Sequence, residues 1–161
     1  MISYRKRLAA VFILVLATGL GIAYAGGQEG IAGWEKDSVY NKLYDLDEWD
    51  KFKGYVMSIK NITPLPGMAT GVAVIVRSKE GETVTVHLGP KSFVNPSKLG
   101  IRKGDKVSVR GCWAEIGDKE VFMASKVKKG DYFEYKVRRT NDGTPYWTMS
   151  PQELAKERVG Q

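Results

Sequence analysis

The sequence predicts a mainly β fold: a five- to six-stranded Greek-key barrel of the OB type, with a short helix before it and another after it. Three observations predict it. From Phe52 onward apolar and polar residues alternate in short runs, the period of strands with one buried face. Two pairs of runs are joined by tight turns, at Lys79-Glu80-Gly81 and at Gly117-Asp118, which reads as two hairpins. The stretch between the hairpins carries Pro90, Pro96, Gly100 and Gly104, and so cannot pair as a strand. A long first loop and one irregular central connection suit an OB barrel better than an SH3-like one, and Gly104-Asp105 supplies the turn that opens the fourth strand.

The chain begins with Arg5, Lys6 and Arg7, then an uncharged stretch from Leu8 to Ile22, then Ala23-Tyr24-Ala25. Residues 1–25 therefore read as a signal peptide that delivers the rest to a bacterial periplasm or beyond it. The alternative is an inner-membrane anchor over residues 8–25, a length at the lower limit for a span. Residues 26–50 form an acidic segment. Within it Val39, Leu43, Leu46 and Trp49 recur at near-helical spacing behind Asp37 or Ser38, which predicts a short helix over about 38–50.

The barrel is expected over residues 51–147. Phe52 to Ile59 is the first strand, with a bulge or sharp coil at Gly54, and Asn61 to Thr70 is a loop. Gly71–Arg77 and Glu82–Leu88 form the first hairpin, with Val72, Val74, Val76, Val84, Val86 and Leu88 on the buried face. Lys106–Glu115 and Glu120–Val127 form the second, and Tyr132–Arg139 is a last strand ended by Asn141-Asp142-Gly143. Over residues 148–161, Ser150-Pro151-Gln152-Glu153 is a capping box that opens a tail helix.

Charge divides sharply. Residues 26–50 hold seven acids (Glu29, Glu35, Asp37, Asp45, Asp47, Glu48, Asp50) against Lys36 and Lys42, whereas residues 51–139 come to a net +10. One reading packs the acidic segment on the basic body and partly neutralises it. The other leaves a basic surface free for an anionic partner. One His and one Cys exclude an intrachain disulfide and the usual four-ligand zinc site, and they leave His87 as the sole imidazole for any triad. No acid pair is spaced for general acid–base work, and Asp45 and Asp47 sit two apart on the expected helix, where side chains diverge. The expectation is a non-enzymatic module with no cofactor and no metal.

The residues singled out for binding are Arg77, Thr85, His87 and Lys91. Alternation puts the first three on the outer face of strands 2 and 3, where OB barrels usually take ligands, beside the Asn61–Thr70 loop and the Gly89–Pro96 segment. Cys112 reads as an apolar barrel position. A single-strand nucleic-acid platform could be drawn from Tyr132, Phe133, Tyr135, Lys136, Arg138 and Arg139, with Trp113 and Phe122 nearby. An exported address argues against it, and Tyr135 and Val137 are expected to face the core.

Val86-His87-Leu88-Gly89-Pro90 and the late Asp142-Gly143-Thr144-Pro145-Tyr146-Trp147 turn resemble a group of bacterial periplasmic OB-fold proteins over about residues 52–147. That resemblance implies the fold and the address, and lends no activity. More distantly the chain is similar to the periplasmic haem chaperone of cytochrome c maturation. Tyr132 matches its tyrosine, but Lys129 or Gly130 stands where the attachment His belongs, so covalent haem attachment is not implied. The partners expected, in order, are an acidic protein or other anionic envelope component, then haem or redox partners, then single-stranded nucleic acid.

Overall fold

The computed structural model describes residues 30–159, so the expected signal peptide or anchor at 1–25 lies outside the described residues. Six strands follow in chain order: β1 (Trp49–Ile62), β2 (Gly71–Ser78), β3 (Thr83–Pro90), β4 (Lys106–Ile116), β5 (Lys119–Lys129) and β6 (Phe133–Lys136). One α-helix among the described residues, α1 (Pro151–Val159), follows them. Neighbours in the order β3-β2-β1-β4-β5-β6 pair antiparallel. A short parallel pairing of β3 with β5, at Val86–Phe122 and His87–Met123, then closes the sheet around five strands. This is the mainly β architecture that alternation predicted, and the five valines and one leucine assigned to the inner face of β2 and β3 are all buried.

β1 is long because it serves two neighbours. Its first half pairs with β4 as far as Tyr55, and its second half pairs with β2 from Gly54. Gly54 sits at that crossover, where a Cβ would collide with the Arg77 carbonyl. The register shift itself falls between Val56 and Ser58 rather than at Gly54. A second bulge lies between Arg110 and Gly111 against β5. β6 is shorter than the alternation suggested, because Val137 N and Arg138 N both donate to Ser125 O and end the ladder at Lys136. The capping box is formed: Ser150 N donates to Glu153 Oε2 (2.8 Å) and Glu153 N to Ser150 Oγ (3.3 Å).

The expected helix over 38–50 is absent. Two single 3-10 turns, Asn41–Leu43 and Leu46–Glu48, stand in its place, and β1 has begun by Trp49. Asp45 is the physical reason. It is extended and its carboxylate accepts from Asp47 N (2.9 Å), so the side chain competes with the helix for the backbone. The apolar residues that suggested a helical stripe are largely exposed, Val39 at 71% and Leu46 and Trp49 at 44% each. Trp34 and Tyr40 are the residues that bury, together with Met68, Ala114, Val121 and Met123, in a second cluster outside the barrel core.

That cluster fixes the segment on the barrel. Trp34 Nε1 donates to Ala69 O (2.8 Å), Trp147 Nε1 donates to Trp34 O (2.8 Å), and the Trp34 ring meets Tyr40 and Trp147 edge-on. A Cβ at Gly71 would collide with the Trp34 ring, so the indole depends on that glycine. Trp34→Ala is expected to lower unfolding free energy by about 3–5 kcal/mol, the range for deleting a buried Trp. Urea denaturation checks it, and a loss below about 1 kcal/mol would mean that the segment is peripheral.

Candidate functional site

A cleft of about 610 Å3 opens between the β1–β2 connection and the β4–β5 hairpin, lined among others by Thr63, Pro64, Thr85, His87, Asp118 and Glu120. Of the four residues singled out from sequence, Thr85 and His87 meet there. Arg77, near the end of β2, and Lys91, just beyond β3, are both exposed and line no part of it. Thr63 and Pro64 belong to the Asn61–Thr70 loop expected to share the surface, whereas Asp118, Lys119 and Glu120 of the hairpin were not anticipated, because only the closure of β3 onto β5 brings the two loops together.

His87 stands on the outer face of β3, as alternation required, but it is not a surface residue. The N-terminal segment lies over it: the Tyr40 ring stacks on the imidazole (6.0 Å between centroids, 18°) and Tyr40 Oη shares a hydrogen bond with Nδ1 (3.1 Å). His87 is left 5% exposed. Burial, helped by the charge of Arg138, pulls its pKa down to about 4, so the ring is neutral at physiological pH. Burial likewise raises the Tyr40 phenol, against the opposing pull of Arg138.

Arg138 is the second buried polar group of this region. Its guanidinium lies between the Tyr44 and Trp147 rings, 4.8 and 4.9 Å from their centroids. It donates to Asn41 Oδ1 (2.7 Å) and Gly143 O (3.2 Å). Uncharged oxygens and ring faces therefore satisfy this cation, with no ion pair to a described carboxylate. Asn41 passes the link on, donating through Nδ2 to the carbonyls of Trp34 and Glu35. The acidic segment is thus held by rings and neutral hydrogen bonds. Its acids Glu35, Asp37, Asp45, Asp47 and Glu48 are exposed and in none of the ion pairs among described residues, so the segment packs on the basic body without direct charge pairing.

The cations gather elsewhere. On the outer face of the sheet Lys51 stands opposite Arg110, Arg110 opposite Lys126, and Lys126 opposite Lys136. Four adjacent strands, about 4.8 Å apart, therefore present one row of four bases. The next row runs Lys53, Ser108, Lys128 and Glu134. Glu134 alone answers Lys126 (3.0 Å), Lys136 (3.5 Å) and Lys128 (3.6 Å). Partial burial raises its carboxyl, but the hydrogen bond and charge of Lys126 and the neighbouring lysines outweigh that and hold it below the usual range. Lys51, Lys53, Lys106 and Arg110 have no carboxylate within ion-pair reach among the described residues. Like charges directly opposite are destabilising by a few tenths of a kcal/mol or more; Glu134 offsets this for Lys126 and Lys136, whereas no described carboxylate does so for Lys51 and Arg110.

The proposed nucleic-acid platform does not form. Phe122 is fully buried, and Trp113, Phe133 and Tyr135 pack on the barrel core, which leaves Tyr132 as the exposed ring of the set. Cys112 is buried on β4, as its type suggested, and burial pushes its thiol up.

A sequence model of the MamS/MamX magnetosome protein family matches residues 48–133. The chain belongs to that family. No curated protein matches it. The family span begins at the turn before β1 and ends at the first residue of β6, so it takes in the closed five-stranded body, His87, the cleft and most of the cation rows. It does not reach Trp34, Tyr40, Asn41, Arg138 or Trp147, so the group that covers His87 lies outside the matched family span. It also includes Val86 to Pro90 and stops short of the Asp142–Trp147 turn, so only the first of the two motifs noted in the sequence lies within it.

The buried imidazole makes stability depend on pH. The unfolded chain binds a proton at His87 below about pH 6.5 and the folded chain only near 4, so the unfolded state holds more protons in that window. The stability His87 contributes is full above pH 6.5 and falls by about 3 kcal/mol as pH drops to 4. The measurement is the difference between the denaturation curves of wild type and His87→Gln at each pH; a flat difference would show that the imidazole is solvated.

Proposed function

We propose that this magnetosome-family protein is a non-catalytic adaptor of the bacterial envelope that docks an acidic protein partner across the basic outer face of β1, β4, β5 and β6. The observation that carries the reading is the row Lys51, Arg110, Lys126 and Lys136, four bases side by side on adjacent strands. A solvated surface with no partner gains nothing from such a row, whereas an acidic partner turns its repulsion into complementarity. The export segment expected at residues 1–25 supports the address. A non-catalytic role agrees with a thiol that burial deactivates and an imidazole sealed under Tyr40.

The reading moves the contact away from Arg77 and Lys91 and onto the four-stranded face. A flat array of cations of this kind raises encounter rates and makes binding strongly salt-dependent. Retention of the exported chain on a poly-glutamate column tests it. Lys51→Glu with Arg110→Glu should elute at markedly lower salt than wild type, while Arg77→Glu with Lys91→Glu, the same change in charge placed elsewhere, should shift elution much less. Equal shifts for the two pairs would mean that net charge alone governs retention and that this face is not a docking surface.

A further inference from the structure

The basic face contains a hollow of about 440 Å3, walled by Lys51 and Lys53 of β1, Lys106, Ser108 and Arg110 of β4 and Lys128 of β5. Asp131, beyond the end of β5, is the one acid that lines it. Two polar atoms of these residues are buried without a hydrogen-bond partner, Arg110 Nε and Ser108 Oγ. Native structures keep few such groups, and each calls for an explanation. Both residues lie on β4, two positions apart on its outer face, in a hollow whose other walls include lysines of β1 and β5.

We infer that this hollow binds one small tetrahedral oxyanion of the phosphate class. The donors approach from three strands. A planar carboxylate meets an Arg fork edge to edge and leaves the other sides unused, whereas a tetrahedral anion presents oxygens to β1, β4 and β5 together. Arg110 Nε and Ser108 Oγ donate to it, and the lysines balance a dianion. Hydrogen bonds to a charged acceptor are the stronger kind, and this acceptor satisfies both orphaned atoms at once. The inference rests on these two atoms and the shape of the hollow. It goes beyond the docking of an acidic protein and does not require it.

Calorimetric and NMR titration of the exported chain with sodium phosphate, against sodium chloride at matched ionic strength, tests the site. Saturable one-to-one binding is expected, with amide shifts centred on Lys51, Ser108, Arg110 and Lys128. Arg110→Lys keeps the charge but removes Nε–H, and Ser108→Ala removes the hydroxyl; each should weaken phosphate about tenfold or more. Lys53→Gln, at an exposed position, should weaken it less and guards against a folding defect in the other two. Phosphate and chloride acting alike, or affinity unchanged in Arg110→Lys and Ser108→Ala, would overturn the site, as would binding only to phosphatidic acid vesicles and not to free phosphate. Arg110→Lys preserves the cation row, so its retention on poly-glutamate reports on docking separately.

Discussion

The parallel contact between β3 and β5 is the constraint on which the rest of the molecule depends. Only Val86–Phe122 and His87–Met123 pair there, but they turn an open six-stranded sheet into a closed body with one interior. The valines of β2 and β3 can then share a core with Phe122 and Val109. Closure also sets His87 beside Met123, and it brings the β1–β2 connection to the β4–β5 hairpin. The cleft between those loops and the platform beneath the N-terminal segment are both products of this contact.

The outer surface that closure creates is divided between two treatments. On one part a segment of the same chain covers the sheet, burying Trp34 and Tyr40 against Met123, Val121 and Ala114. Two buried polar groups there are satisfied without charge pairing: Arg138 by Asn41, Gly143 and two rings, and His87 by Tyr40. Neutral partners suffice for Arg138 because its flat, weakly hydrated cation can lie between ring faces. His87 meets burial in the opposite way, by giving up its charge.

On the other part no segment among the described residues lies over the sheet, and the cations stand together. The bulge between Arg110 and Gly111 accompanies the change from one treatment to the other. Before it β4 presents Lys106, Ser108 and Arg110 outward; after it Cys112 is buried and Ala114 joins the cluster under the covering segment. A single strand therefore supplies both the exposed basic face and the covered apolar one. The family span includes the basic face as far as β5, while the cover is built from residues on either side of that span. The basic face and the buried imidazole are in this sense separate properties of one closed sheet.

Much of the barrel was legible in the sequence because strand period, Gly-containing turns and a proline-bearing connection are local signals. They located both hairpins and the inner face of β2 and β3, and the capping box marked the start of α1. The 38–50 helix misled because apolar spacing was read without the competing claim of the Asp45 carboxylate on Asp47 N. The cation row had a faint local trace in the base-x-base pairs Lys51-x-Lys53 and Lys126-x-Lys128. What the sequence determined alone, then, was which residues alternate, where the chain turns and how charge divides along it. The tertiary structure decided which strands lie side by side, and so which bases become neighbours and whether His87 meets solvent or Tyr40. The physical reason is that strand order, sheet closure and burial arise from contacts between residues far apart in the chain, for which no local pattern is a substitute.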